Sequence, residues 1–197
     1  GASVEFSDDD VDQQVIEGAR IVYLEGYLFD AEAARRAFAK AAGLAHASGR
    51  MIALTLSDSF VVERHRAALL GFIESQVDLL FANDAEVTAL FETDSFDQAV
   101  EALRPRVTLA AVTRSEKGSV ILSQGERLTV AAEPVEKVVD TTGAGDQYAA
   151  GFMFGLSRGR PLQLCGKLGS LAAAEVISHY GPRPQVPLKE LAVSRGY

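Results

Sequence analysis

Short apolar runs of four to seven residues alternate along this chain with longer stretches of helical periodicity. That alternation leaves few folds open. Ile21 to Leu24, Met51 to Leu56, Val77 to Phe81 and Val107 to Thr113 read as buried strands. Between them, Asp30 caps a predicted helix ending near Gly49, Asp58 or Ser59 starts one running to about Ser75, and Asp84 to Phe91 and Ser95 to Leu103 read as two shorter ones. Ser7 followed by Asp8, Asp9 and Asp10 predicts a first helix reaching about Gly18. Gly118 to Ser123 and Arg127 to Ala132 predict a hairpin turning at Gln124-Gly125. Three helices follow: Ala144 to Ser157, Pro161 to about Tyr180, and Leu188 to Ser194. Repeated strand–helix–strand units imply an α/β fold, a mostly parallel sheet with helices on both faces. Residues 1–197 read as a single α/β domain.

Composition narrows the function. An apolar content of 48% supports a packed core. Nineteen basic against 27 acidic side chains leave a net charge of −8, which gives the chain no electrostatic reason to seek nucleic acid or an anionic membrane. A phosphate compound could still be held by helix amides, one basic side chain or a bridging metal. Cys165 stands alone, so an internal disulfide and a cysteine zinc site are excluded, and a reducing, cytoplasmic setting is expected. No apolar run reaches membrane-spanning length, and Gly1-Ala2-Ser3-Val4-Glu5-Phe6 lacks the basic and apolar regions of a signal peptide.

Ligands of parallel sheets bind beyond the carboxyl ends of the strands. Asn83 to Glu86, Thr113 to Gly118 and Asp140 to Asp146 all fall at such ends. The third is the most informative. Gly143 and Gly145 flank Ala144, so backbone can approach a ligand without collision at Cβ. The next helix begins there with unpaired amides, a place for an anion and for charge growing on a transferring phosphoryl group. Asp146 lies in that helix's first turn. Beside an anion it makes chemical sense as a base for a hydroxyl nucleophile. Taken alone, it reads as a surface acid complementing the helix dipole. The run is no dinucleotide fingerprint, because Tyr148 holds the third glycine position, and no P-loop, because Gly166-Lys167 continues with Leu168.

The contiguous run Asp140-Thr141-Thr142-Gly143-Ala144-Gly145-Asp146, with Gly151-Phe152 beyond it, resembles the C-terminal signature of the ribokinase/PfkB-type carbohydrate kinases, which include adenosine kinases. The resemblance extends from about residue 20 to the end of the chain. It implies a ribokinase-like fold and ATP-dependent phosphorylation of a hydroxymethyl group on a sugar or nucleoside. It places the catalytic base at Asp146, the anion hole at the amides of Gly143, Ala144 and Gly145, and a monovalent-cation site, possible for K+, at Asp140.

Asn83 and Glu86, three apart, share one helix face. They read either as a helix cap with its capping-box partner or as oxygen groups ordering magnesium-bound water. The segment is similar to the Asn-x-x-Glu motif of these kinases, which implies the Mg2+ role, with Glu86 acting through water. Thr113 to Gly118 supplies a small hydroxyl and a turn glycine. It resembles the family's Thr-x-Gly-x-x-Gly segment, matching at Thr113 and Gly118 and carrying Ser115 where glycine is usual. The small residues Gly169 to Ala174 permit close helix packing. By resemblance this helix, with Ser170, and the loop Tyr180-Gly181-Pro182 border the adenine pocket. His46 and His65 lack a second ligand nearby in sequence, and His179 reads as a contact at a helix end.

The family's N-terminal strands, small β lid and sugar-gripping Asp and Gly-Gly pair are not found before Ile21. The resemblance therefore implies a C-terminal nucleotide-binding and catalytic part of a larger kinase domain. Missing strands would leave an apolar edge, so pairing with that N-terminal segment or a homodimer is expected. Within the family, Val22 to Leu28 looks more like the adenosine-kinase-like branch. The competing reading is a catalytically inert nucleotide-binding or assembly fragment lacking the acceptor site.

Overall fold

The computed structural model describes residues 5–197. Gly1 to Val4, which open the segment read above as no signal peptide, lie outside the described residues. The chain groups into two compact units, one running through Ala110 with Leu122–Glu126 added, the other holding Ala111–Ile121 and Arg127–Tyr197.

Among the described residues, six strands form one sheet in sequential order: β1 (Ile21–Glu25), β2 (Met51–Thr55), β3 (Leu79–Asn83), β4 (Leu109–Thr113), β5 (Ser119–Ser123) and β6 (Glu126–Val130). β1 and β2 are parallel with Ile21 opposite Met51, and β2 and β3 are parallel with Ala53 opposite Leu79. β2 is central here: Ile52, Ala53 and Leu54 are all inaccessible to solvent. A strand covered on both faces has no polar side to show, so its sequence runs apolar without alternation.

In the first unit, α2 (Glu32–Ala47), α3 (Ser59–Gln76), α4 (Asp84–Leu90) and α5 (Phe96–Leu103) follow the strands as expected. Asp58 caps α3 through the amide of Phe60, and Ser95 caps α5 through that of Gln98. Two expectations are corrected. The first helix is broken: Asp8–Asp10 form a single 3-10 turn, Val11 is extended, and α1 is only Gln13–Gly18. The cause is local. Asp10 takes the N–H and O–H of Ser7, closing the turn on itself, and Asp12 caps the new helix through the amides of Gln14 and Val15. Asp30 does not cap α2; the preceding residue is Ala31, and Asp30 instead meets His65 Nε2 at 2.8 Å and Arg64 at 3.3 Å.

β5 and β6 turn through Gln124 and Gly125, which group with the first unit and both have positive φ, the backbone of a two-residue hairpin. α6 (Ala144–Ser157) and α7 (Leu162–Val176) pack so closely that a Cβ on Gly151 would stand 2.4 Å from the carbonyl oxygen of Leu168. That is the physical reason for the small residues on both helices. Cys165 is fully buried, and burial pushes its thiol up to about 11, so it behaves as an inert packed group. α7 ends at Val176, four residues short of the expected Tyr180, and α8 covers Leu188–Ser194. The early stop follows from Ile177, whose carbonyl oxygen accepts the N–H groups of Val139 and Asp140. The next turn of α7 gives way to a loop that can meet the segment before α6.

Candidate active site

The turn entering α6 is built by Asp140. Its Oδ1 accepts the N–H and O–H of Thr142 at 2.9 and 2.7 Å, and its Oδ2 accepts the N–H of Gly181 at 3.0 Å. The Gly181 and Thr142 donors hold its carboxyl down at about 2, so it is anionic at neutral pH. Gly143 then takes φ +78°, where a side chain is strained, and a Cβ there would lie 2.7 Å from Cβ of Pro182. Gln147 Nε2 donates to the Pro182 carbonyl at 3.3 Å. Asp140, Gly143 and Gln147 thus tie the turn to the loop after α7.

The helix end so formed lacks a side-chain cap, because its N-cap is Gly143. Ala144 donates to the carbonyl of Thr141 at 3.2 Å, so one of the three expected anion-hole amides is already engaged. Among the described residues, the N–H groups of Gly145 and Asp146 have no partner. Gly145 is exposed, and a Cβ added to it would meet nothing within 4 Å. Packing therefore gives no reason for glycine at 145, where alanine would favour the helix. A ligand approaching the backbone does give one. Asp146 is exposed on the same turn.

Asn83 and Glu86 form the capping box. Asn83 Oδ1 accepts the N–H of Glu86 at 2.9 Å, and Glu86 Oε2 accepts the N–H of Asn83 at 2.9 Å. Glu86 Oε1 also takes Asn83 Nδ2 at 2.7 Å. Glu86 is 5% exposed, and burial raises its carboxyl to about 7 against the opposing pull of the Asn83 N–H. Such a carboxylate gains from a nearby cation, directly or through water.

Thr113 ends β4, and Arg114 to Gly118 form a tight turn in which Arg114 N–H donates to Gly118 O at 2.7 Å. Gly118 has φ +82°, and a Cβ there would stand 2.1 Å from the carbonyl oxygen of Val130. Ser115 has φ +50°, so it adopts a left-handed backbone at the very position where resemblance expects glycine. Ser170 Oγ accepts the N–H of Glu133 at 2.7 Å, tying α7 to the segment after β6.

Two contacts were not foreseen. Pro182 is the surface against which Gly143 is seated, and no local pattern marks it. Glu175 faces His179 one turn on, with Nε2 3.2 Å from Oε1, a pair legible in the four-residue spacing. Glu175 and His179 line a cleft of about 420 Å³ in the second unit. Among the described residues, no cluster of His, Cys, Asp and Glu is arranged to hold a metal, and no helix is long and apolar enough to cross a membrane.

A parallel run of strands with helices between them, and a glycine turn opening α6, define an α/β protein. The family profile of the pfkB carbohydrate kinases matches residues 1–189, and the chain belongs to that family. A crystal structure of adenosine kinase from Sinorhizobium meliloti superposes with TM-score 0.95 at 50% identity, covering 98% of this chain and 59% of that one. A cytidine kinase of Thermococcus kodakarensis is 38% identical over 119 residues, 59% of this chain and 42% of its own length. A putative ribokinase II from E. coli, solved with ATP and Mg2+, shares the fold with TM-score 0.86 at 21% identity. The fold is thus ribokinase-like, three-layer α/β. The chain spans about half the length of the relatives it matches.

Proposed function

We propose that this chain is the nucleotide-binding and catalytic part of an ATP-dependent kinase acting on a hydroxymethyl group of a nucleoside or sugar. The single observation that carries the reading is the α6 turn: free amides at Gly145 and Asp146, open space over Gly145, and Asp146 exposed in the same first turn. The family resemblance supplies the reaction class, and the adenosine and cytidine kinases among its relatives favour a nucleoside acceptor.

In this reading the phosphate rests on the amides entering α6, where the helix dipole favours negative charge. Asp146 accepts the proton of the attacking hydroxyl, and that hydroxyl oxygen forms the new bond to phosphorus as the bond to the departing ADP breaks. Mg2+, when bound, neutralises charge on the phosphates; Glu86 would hold it through water, with Asn83 fixing the carboxylate. Asp140 has about four acceptor positions, three of them taken by Thr142 and Gly181. It could offer K+ a single contact, and its first task is to hold the turn. Thr113 and Gly118 would border the nucleotide, as would Ser170 and Gly181.

The test is a coupled ADP-release assay of the complete protein with adenosine, cytidine, ribose and fructose. Turnover of at least one nucleoside with ATP is expected. ATP binding without turnover on any acceptor would favour the inert nucleotide-binding module.

A further inference from the structure

In the first unit, α3 bends at a point where its own sequence supplies no cause. It holds no proline, its glycine (Gly71) lies past the bend, and His65 has φ −120° and ψ 18°, outside the helical range. The cause is Asp30, at the end of the 3-10 turn Gly26–Asp30 that leaves β1. Its Oδ1 stands 2.8 Å from His65 Nε2, and its Oδ2 stands 3.3 Å from Arg64 Nη2. Consecutive side chains on a regular helix diverge by about 100°, so Arg64 and His65 could not both face one carboxylate. The departure at His65 lets them do so.

Asp30 is itself held in place. Arg35 Nη1 donates to the carbonyl of Phe29 at 2.6 Å, and the buried Phe29 meets the His65 ring edge-on with centroids 6.0 Å apart. At the other end of the turn, a Cβ on Gly26 would lie 2.4 Å from the carbonyl oxygen of Leu56, so the turn is seated on the exit of β2. The segment ahead of the bend, Ser59–Arg64, starts from that same exit, capped by Asp58. Asp58 lies close enough to Glu86 for its charge to oppose ionisation of that buried carboxyl. The exits of β1, β2 and β3 therefore adjoin this segment, at the edge where ligands of a parallel sheet bind. The α6 turn, Thr113, Gly118, Ser170 and Gly181, read above as the nucleotide's contacts, all belong to the second unit. The β1 and β2 exits are left for the other substrate.

We propose that Asp30 is a positioning residue for the phosphoryl acceptor: by drawing Arg64 and His65 to one carboxylate, it bends α3 and sets the direction of Ser59–Arg64 beside the acceptor's place. The inference rests on the kinase reading above. Asp30 acts here through α3 and not by contact with substrate. Its loss should weaken acceptor binding and spare the nucleotide.

The test is steady-state kinetics of the complete protein, with whichever of adenosine, cytidine, ribose and fructose wild type turns over. Asp30→Ala is expected to raise KM for that acceptor about tenfold, the scale of one lost hydrogen bond, with KM for ATP unchanged. His65→Ala, which removes the other half of the pair, should give the same split. Asp30→Asn keeps an oxygen for His65 and should recover most of the loss. An unchanged acceptor KM in either alanine variant, once it is shown to fold, overturns the inference. So does an equal rise in both KM values, or an Asp30→Asn as impaired as Asp30→Ala. If neither alanine variant folds, hydrogen exchange in wild type decides: the amides of residues 60–64 should gain protection when the acceptor is added and not when ATP is added. No gain with the acceptor overturns the inference and leaves the kinase reading intact. Turnover of none of the four acceptors overturns the kinase reading itself and this inference with it.

Discussion

A β-carbon on Gly143 would fall 2.7 Å from that of Pro182, so the turn before α6 and the loop after α7 meet where only a hydrogen fits. Gly145, two residues on, faces open space. The two glycines of one motif therefore answer to different demands.

Their substitutions should separate accordingly. Gly143→Ala is expected to destabilise the protein by about 2 kcal/mol or more, through the collision and the positive φ together. Gly145→Ala should leave stability unchanged or raise it by up to about 1 kcal/mol. The same change should cut kcat/KM for ATP by roughly a hundredfold, as expected when one phosphate-binding donor is obstructed. Thermal melts and steady-state kinetics on the two variants check this. Full activity in Gly145→Ala would mean that no ligand approaches that backbone.

Asp140 offers a second separation. Asp140→Asn can keep the contacts to Thr142, but its NH2 would then face the N–H of Gly181, two donors with no acceptor between them. The loop should loosen from the turn. Affinity for ATP is expected to fall about tenfold, the scale of one hydrogen bond to a charged group, while kcat at saturating ATP changes less. Unaltered affinity would show that the tie to Gly181 does not shape the phosphate site.

The order of strands and helices was legible in the chain, and the reasons are visible in particular residues. Asp58, Asn83 and Ser95 each announced a helix that their side chains do cap. Gln124-Gly125 announced the hairpin it makes. What was not legible came from partners distant in sequence. Asp30 looks like a cap and is drawn away by His65 and Arg64; α7 looks longer than it is because Val139 and Asp140 claim the carbonyl of Ile177. The site divides the same way. The glycine turn could be read directly, whereas the seat of Gly143 on Pro182 required the fold. Asn83 and Glu86 supported two readings, and their capping box is present in the structure.

Glu86 also predicts a pH effect. Its folded value of about 7 lies above the ordinary 4.5 because burial disfavours the charge. Between those limits the native protein holds a proton that the unfolded chain has released, so stability falls as pH rises through that window, by no more than about 3 kcal/mol. Melting temperatures from pH 4.5 to 7.5 should decline more steeply in wild type than in Glu86→Gln. Identical slopes would remove Glu86 as the source.

The central claim is that Asp146 takes the proton from the attacking hydroxyl. Asp146→Asn in the complete protein tests it most directly, with turnover and ATP binding measured on the same preparation. The expected result is a loss of about 10²–10⁴-fold in kcat with ATP affinity nearly unchanged. Turnover close to wild type would contradict the assignment.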